Sequence, residues 1–269
     1  MYNEFWGLNR KPFENTPDPD FFFYSNRHEE AIVRLLYAVR EGKGAALVTG
    51  GYGCGKTLLS VNLLAEIKDS GSRAVHIFNP RMSVSEFLKE MVFQLGGDDT
   101  PGSKRRLLQS LNQLLLKNDS EGRRTVIIID EAQAIKSLDI FEELRLLMNY
   151  QHNNRFLFTL VLFGQPELRD KMRRVPQFKQ RISVGYHLEG LDEKQCGEYI
   201  HHRLRVAGMA DEKAKGLISE AGITCIYKES QGVPRLVNNL CDMCLLIGFG
   251  RRLETIDENV VLDVIKDFS

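Results

Sequence analysis

Residues 50–57 read Gly50-Gly51-Tyr52-Gly53-Cys54-Gly55-Lys56-Thr57, and the rest of the chain takes its meaning from where this stretch sits. It matches the pattern G-x-x-x-x-G-K-[ST] in full. Residues 45–49 before it form a short apolar run, and residues 58–67 after it carry helical periodicity. A strand, a glycine-rich turn and a helix in that order are the context in which such a match marks a phosphate-binding loop. The glycines let backbone N–H groups curl around phosphates, and the helix N-terminus adds the positive end of its dipole. Lys56 reaches the β- and γ-phosphates, and the Thr57 hydroxyl ligates magnesium. Gly50, Gly51, Tyr52, Gly53, Cys54, Gly55, Lys56, Thr57 and Leu58 are therefore the expected nucleotide-binding set, with ATP and Mg2+ as ligands. Cys54 suits the loop by its small size.

Residues 125–129 are a continuous β-branched run, Thr125-Val126-Ile127-Ile128-Ile129, of the kind buried on both faces in a central parallel strand. The run ends in Asp130-Glu131. In an open α/β sheet, residues leaving the carboxyl end of a strand stand in the ligand crevice. Asp130 is expected to hold magnesium, directly or through water, and Glu131 to polarise a water for in-line attack on the γ-phosphate. Further strands are expected at 74–78, 156–163 and 182–187, alternating with helices at 27–40, after the Ser83/Glu86 capping box, at 104–116 and at 138–150. Such alternation predicts an α/β fold, a parallel sheet with helices on both faces. After residue 191 the strand signals stop. Helical patterns at 192–206, 219–230, 234–247 and 257–268 predict an all-helical subdomain.

The first 26 residues are rich in aromatics, Pro and Asp, which argues against a helix and for a segment laid over the body of the protein. The expected division is thus a segment 1–26 packed on the core, a nucleotide-binding core 27–190 and a helical lid 191–269.

Composition narrows the function class. With 36 basic against 36 acidic side chains the formal net charge is zero, which weighs against a strongly basic nucleic-acid binder. Five cysteines without a signal peptide fit a reducing cytoplasm. Cys241 and Cys244 form a C-x-x-C inside a helical pattern, with no second pair at ligand spacing, so they read as packing residues. The longest apolar runs, 156–163 and 244–249, are too short to span a bilayer.

These features resemble the AAA+ ATPases, and within them the ExeA-type (general secretion pathway protein A) family. The likeness covers nearly the whole chain. It is carried by Phe5-Trp6-Gly7-Leu8, Pro12-Phe13, Thr16-Pro17-Asp18-Pro19 and Phe22-Phe23-Tyr24; by the phosphate loop; by Ile129-Asp130-Glu131-Ala132-Gln133; by Phe163-Gly164-Gln165-Pro166; and by Gly232-Val233-Pro234-Arg235. The opening run discriminates most, because phosphate loops are shared by many families.

The resemblance implies further roles. Gln165 takes the place of the first sensor, where Asn, Ser or Thr is usual; a turn residue is the other reading. Arg235 matches the second sensor in the helical lid, where a guanidinium can fork to phosphate oxygens. Arg181 is the expected arginine finger acting on a neighbouring subunit, with Arg173 and Arg174 as rivals, and it implies a homo-oligomer. Asn79 is either a hydrogen-bond partner that holds Glu131 away from water or a turn residue. Tyr24 either stacks on adenine or belongs to the core. The implied setting is the cytoplasm, as a free module or as the cytoplasmic domain of a longer inner-membrane protein, serving an envelope or secretion machine. The alternative is a DNA-binding ATPase resembling transposition regulators of the Mu B and TniB kind.

Overall fold

The structure, a computed structural model, describes residues 2–98 and 103–268. It resolves into two compact units, one of residues 27–51 and 59–188, the other of residues up to 26, 52–58 and 189 onward.

The first unit is built on five parallel strands: β1 (Ala45–Gly50), β2 (Arg73–Ile77), β3 (Thr125–Ile129), β4 (Thr159–Gly164) and β5 (Ile182–Leu188), in the order β2-β3-β4-β1-β5. Every residue of β3 and β4 is buried, which is why their sequences are unbroken apolar runs. The connecting helices are α1 (Asn26–Arg40), α2 (Lys56–Asp69), α3 (Val84–Gln94), α4 (Lys104–Ser120), α5 (Leu138–Leu147) and α6 (Glu167–Arg173). Their apolar stripes, with Leu88, Leu111 and Phe141 among them, close over Val75, Ile127 and Leu162 of the sheet. The capping box that opens α3 is present: Glu86 N–H donates to Ser83 Oγ at 3.3 Å and Ser83 N–H to the Glu86 carboxylate at 2.7 Å.

Edge strand β2 has its outer main-chain groups covered by a side chain. Gln94 accepts from His76 N–H at 2.7 Å and donates to His76 O at 3.0 Å. A sheet edge left open invites pairing with another chain, and this amide blunts it.

The strand expected from residue 156 starts later, at Thr159. Residues 151–156 form a tight antiparallel hairpin instead, with Asn153 and Asn154 at φ 48° and 65° in its turn. Paired positive φ values define the turn that matches strand twist, and Asn tolerates them. Of the loop between α3 and α4, residues 99–102 lie outside the described residues.

The second unit holds α7 (Glu193–Val206), α8 (Asp211–Leu217), α9 (Glu220–Ser230), α10 (Pro234–Gly250) and α11 (Glu258–Phe268). Helix α8 has no counterpart among the expected helices, because seven residues are too few to display a 3.6-residue period.

The opening segment was expected on the α/β core; its buried side chains join the helical cluster instead. Trp6, Leu8, Phe13 and Phe21 pack with Ile200, Leu204 and Leu245. The Trp6 indole N–H donates to Leu245 O at 3.0 Å. Arg203, buried in α7, donates to Pro12 O at 2.5 Å, Glu14 O at 2.9 Å and the Tyr199 hydroxyl at 3.0 Å. A proline-rich segment leaves main-chain carbonyls unpaired, and one guanidinium satisfies two of them.

Cys241 and Cys244 are buried in the same cluster. Burial pushes the Cys244 thiol up to about 12. Among the described residues, no group of three or more His, Cys, Asp or Glu side chains is placed to hold a metal ion. No described helix is long and apolar enough to cross a membrane.

Candidate active site at the carboxyl edge of the sheet

Strand β1 ends at Gly50, and the chain turns through the glycine-rich loop into α2 at Lys56. Gly53 and Gly55 have φ of 82° and 88°, a region L side chains rarely adopt. A Cβ at Gly53 would also lie 2.8 Å from Arg235 Cβ, so α10 and the loop touch backbone to side chain. Arg235 N–H donates to Gly53 O at 3.4 Å. The Arg235 guanidinium lies 4.6 Å from the centroid of the Tyr52 ring and donates to the Tyr52 hydroxyl. Lys56 is only 5% exposed.

The acidic pair leaves β3 as expected. Asp130 is 1% exposed; its N–H donates to Ile77 O at 2.9 Å, extending the β2–β3 ladder by one residue. Its carboxylate accepts from Glu131 N–H at 2.8 Å. Glu131 is left-handed, at φ 50° and ψ 35°. A non-glycine residue there costs of the order of 1 kcal/mol, and such strain collects at functional sites.

The Glu131 carboxylate accepts from the side-chain amide of Gln133. The other end of that amide, Oε1, accepts from Gln165 N–H at 3.0 Å. Gly164 makes room for it, since a Cβ there would sit 2.9 Å from Gln133 Oε1. Lys171 of α6 donates to Gln133 O and, at 2.6 Å, to Ile135 O. Burial and the neighbouring Arg174 charge push the Lys171 ammonium down from its ordinary value.

The remaining expected residues are placed as follows. Gln165 meets this network through its main-chain N–H. Asn79 uses its side-chain oxygen locally, accepting from Arg81 N–H at 3.3 Å in a turn. The amide that the expectation looked for on Glu131 comes from Gln133, two residues along the same turn. Tyr24 is 50% exposed, with its ring edge-on to Phe22 at 4.6 Å. Arg173 pairs with Asp170 at 2.8 Å.

Arg181 donates to Asn149 Oδ1 at 2.9 Å. It directly precedes Ile182, which pairs with Ala45 at the start of β1, while Leu188 pairs with Gly50 at its end. Arg181 therefore stands at the amino end of the sheet, about 16–20 Å along the strands from Gly50, well beyond the reach of an arginine side chain. Gln133 and Lys171 carried no role in the sequence reading. Gln133 closes the motif that begins at Ile129, and the Gly164-Gln165 turn receives its side-chain oxygen, whereas nothing local in the sequence marks Lys171.

A phosphate loop leaving a parallel sheet of this order, an acidic pair closing an inner strand and a helical unit following the sheet define the P-loop fold of the AAA+ class. Residues 39–172 match the AAA domain family. Over 255 residues, 93% of its length, the chain is 35% identical to General secretion pathway protein A of Aeromonas hydrophila, and it spans 45% of that relative's length.

Among solved structures, the Aeropyrum pernix ORC2 protein in its ADPNP–ADP complexes superposes with a TM-score of 0.68 at 18% identity, covering 96% of this chain and 71% of that one. Drosophila ORC bound to DNA superposes at 0.72 with 13% identity, covering 97% and 65%. At these identities the likeness is one of fold.

Proposed function

We propose that the chain is a magnesium-dependent, ATP-hydrolysing module that powers or gates the assembly of a bacterial envelope or secretion machine. The observation that carries the hydrolytic reading is the carboxyl edge of the sheet, where the strained Glu131 directly follows the buried Asp130. Asp130 and Thr57 offer a carboxylate and a hydroxyl, the hard oxygen donors magnesium prefers, and the ion would neutralise phosphate charge. Loop N–H groups and Lys56 bind the β- and γ-phosphates. Glu131 takes a proton from water as the water oxygen bonds to the γ-phosphorus, the bond from that phosphorus to the β–γ bridging oxygen breaks, and ADP leaves.

Arg235 exchanges its Tyr52 partner for a γ-phosphate oxygen, and Tyr24 offers its exposed face to adenine. Arg181, out of reach of its own carboxyl edge, serves a neighbouring copy. The cellular setting rests on the likeness to General secretion pathway protein A. DNA is the alternative partner, and zero net charge weighs against it.

The test is a pair of variants. Lys56→Ala is expected to lose ATP affinity by calorimetry. Glu131→Gln is expected to keep that affinity while phosphate release falls ~10²–10⁴-fold. Phosphate release at the parent rate from Glu131→Gln overturns the assignment.

A further inference from the structure

Resting on that hydrolytic reading, we infer that Gln133 is the positioning residue of the site: it fixes the carboxylate of Glu131 for catalysis and ties it to the main chain of the Gly164-Gln165 turn. Three anchors hold the residue. Its carbonyl is gripped by the Lys171 ammonium. Its side-chain oxygen accepts from Gln165 N–H at 3.0 Å. Its amide nitrogen donates to Glu131. The amide has only one sensible orientation, because a carboxylate only accepts and a main-chain N–H only donates.

The surroundings are shaped for this amide. Gly164 closes a fully buried strand, and a Cβ there would come within 2.9 Å of Gln133 Oε1. Glu131 is held in left-handed backbone by the same short turn, Ala132–Ala134, that presents Gln133. A carboxylate with two free rotors samples many positions, and holding it near the reactive geometry is worth orders of magnitude in rate. One Glu131 oxygen is committed to Gln133, which leaves the other for the attacking water. The wiring also gives the Gln165 turn a way to act on the base without any contact between Gln165's own side chain and Glu131.

The experiment uses the full chain in steady-state ATP hydrolysis, with nucleotide affinity measured separately. Gln133→Glu is isosteric and still accepts from Gln165 N–H, but it cannot donate to Glu131; Gln133→Ala removes both bonds. Each is expected to lower kcat by ~10–100-fold while KM and the ATP dissociation constant stay within about threefold. In a Glu131→Gln background the added Gln133→Ala is expected to change the residual rate by less than about threefold, since Gln133 acts through Glu131.

Should Gln133→Ala fold poorly, the swap Glu131→Gln/Gln133→Glu restores the donor–acceptor pair with reversed polarity. It is expected to melt like the parent yet remain inactive. A parent-like or higher kcat for Gln133→Glu overturns the inference, as does an undiminished effect of Gln133→Ala when Glu131 is already gone. If instead Glu131→Gln itself hydrolyses ATP at the parent rate, the hydrolytic reading falls and Gln133 falls with it.

Discussion

The two units bury polar side chains in different ways. In the helical unit Arg203 is enclosed: two carbonyls and a hydroxyl accept from it, and the Phe21 ring lies 4.6 Å from its guanidinium. At the carboxyl edge of the sheet the polar groups lie in a strained turn, with Glu131 at positive φ and its carboxylate held from one side. Buried polarity alone therefore does not mark a site. A closed shell of partners marks architecture, while an oriented group on strained backbone with lone pairs to spare marks chemistry. Substitutions in the α/β unit's machinery are thus expected to change rate more than stability, and substitutions around Arg203 the reverse.

Arg181→Ala tests the first half with the largest effect. Its guanidinium has an Asn149 partner at 2.9 Å in an exposed setting, so its loss should leave the melting temperature within a degree or two. ATP should bind as in the parent, and hydrolysis should fall ~10³-fold, the scale of a trans arginine finger. Mixing the variant with Lys56→Ala should restore part of the activity, because the latter keeps the finger and lacks a working loop. An inactive mixture of proteins that do co-assemble would move the finger to Arg173 or Arg174.

Arg203→Met should do the opposite. The thioether fills similar space, but Pro12 O, Glu14 O and the Tyr199 hydroxyl lose a buried donor, a cost of about 3 kcal/mol. Denaturant midpoints should fall accordingly, and proteolysis of the opening segment should quicken, with kcat at low temperature unchanged. A slower enzyme of parent stability would break the contrast between the units.

What could be read from the sequence follows the range of the interactions. The phosphate loop is contiguous, and residues 125–129 announce a central strand by composition alone. Strand-end logic then puts Asp130 and Glu131 just past the end of β3, which is where they lie. The bond from Gln133 to the Gln165 main chain spans 32 residues, and no periodicity encodes it. The same holds for the opening segment, whose anchor Arg203 lies 191 residues from Pro12. Its aromatic content said that it would be buried, but not against which unit. Of the two readings open for Asn79, its contact is the turn residue's, because a short Asn side chain next to a turn bonds its own backbone first. The Asn153-Asn154 turn was legible in principle; an apolar run beginning at Phe156 drew the strand three residues too early.

The smallest effect concerns a buried polar group of the α/β unit that belongs to its architecture. His76 of β2 is 6% exposed, its main chain is bridged by Gln94 and its Nε2 lies 3.2 Å from Ser60 Oγ. Its Nδ1 is buried without a partner among the described residues. Burial, and secondarily the positive charge of Lys68, push the imidazole down to about 4. Since the native state prefers the neutral ring, an unfolded chain binds one more proton between about pH 6.5 and pH 4. Stability must then fall as pH drops through that window and level off below it. With part of the ring's surroundings open to solvent screening, the loss should be about 1 kcal/mol. Urea midpoints at pH 7, 5.5 and 4.5 check this, with His76→Phe as the control that keeps a ring and removes the proton site. The parent should lose more stability than the variant across the series, and kcat at pH 7 should not change. Parallel profiles would mean that another group sets the acid limb. A fall in kcat at neutral pH would mean that β2 supports the carboxyl edge more closely than its hydrogen bond from Asp130 N–H to Ile77 O requires.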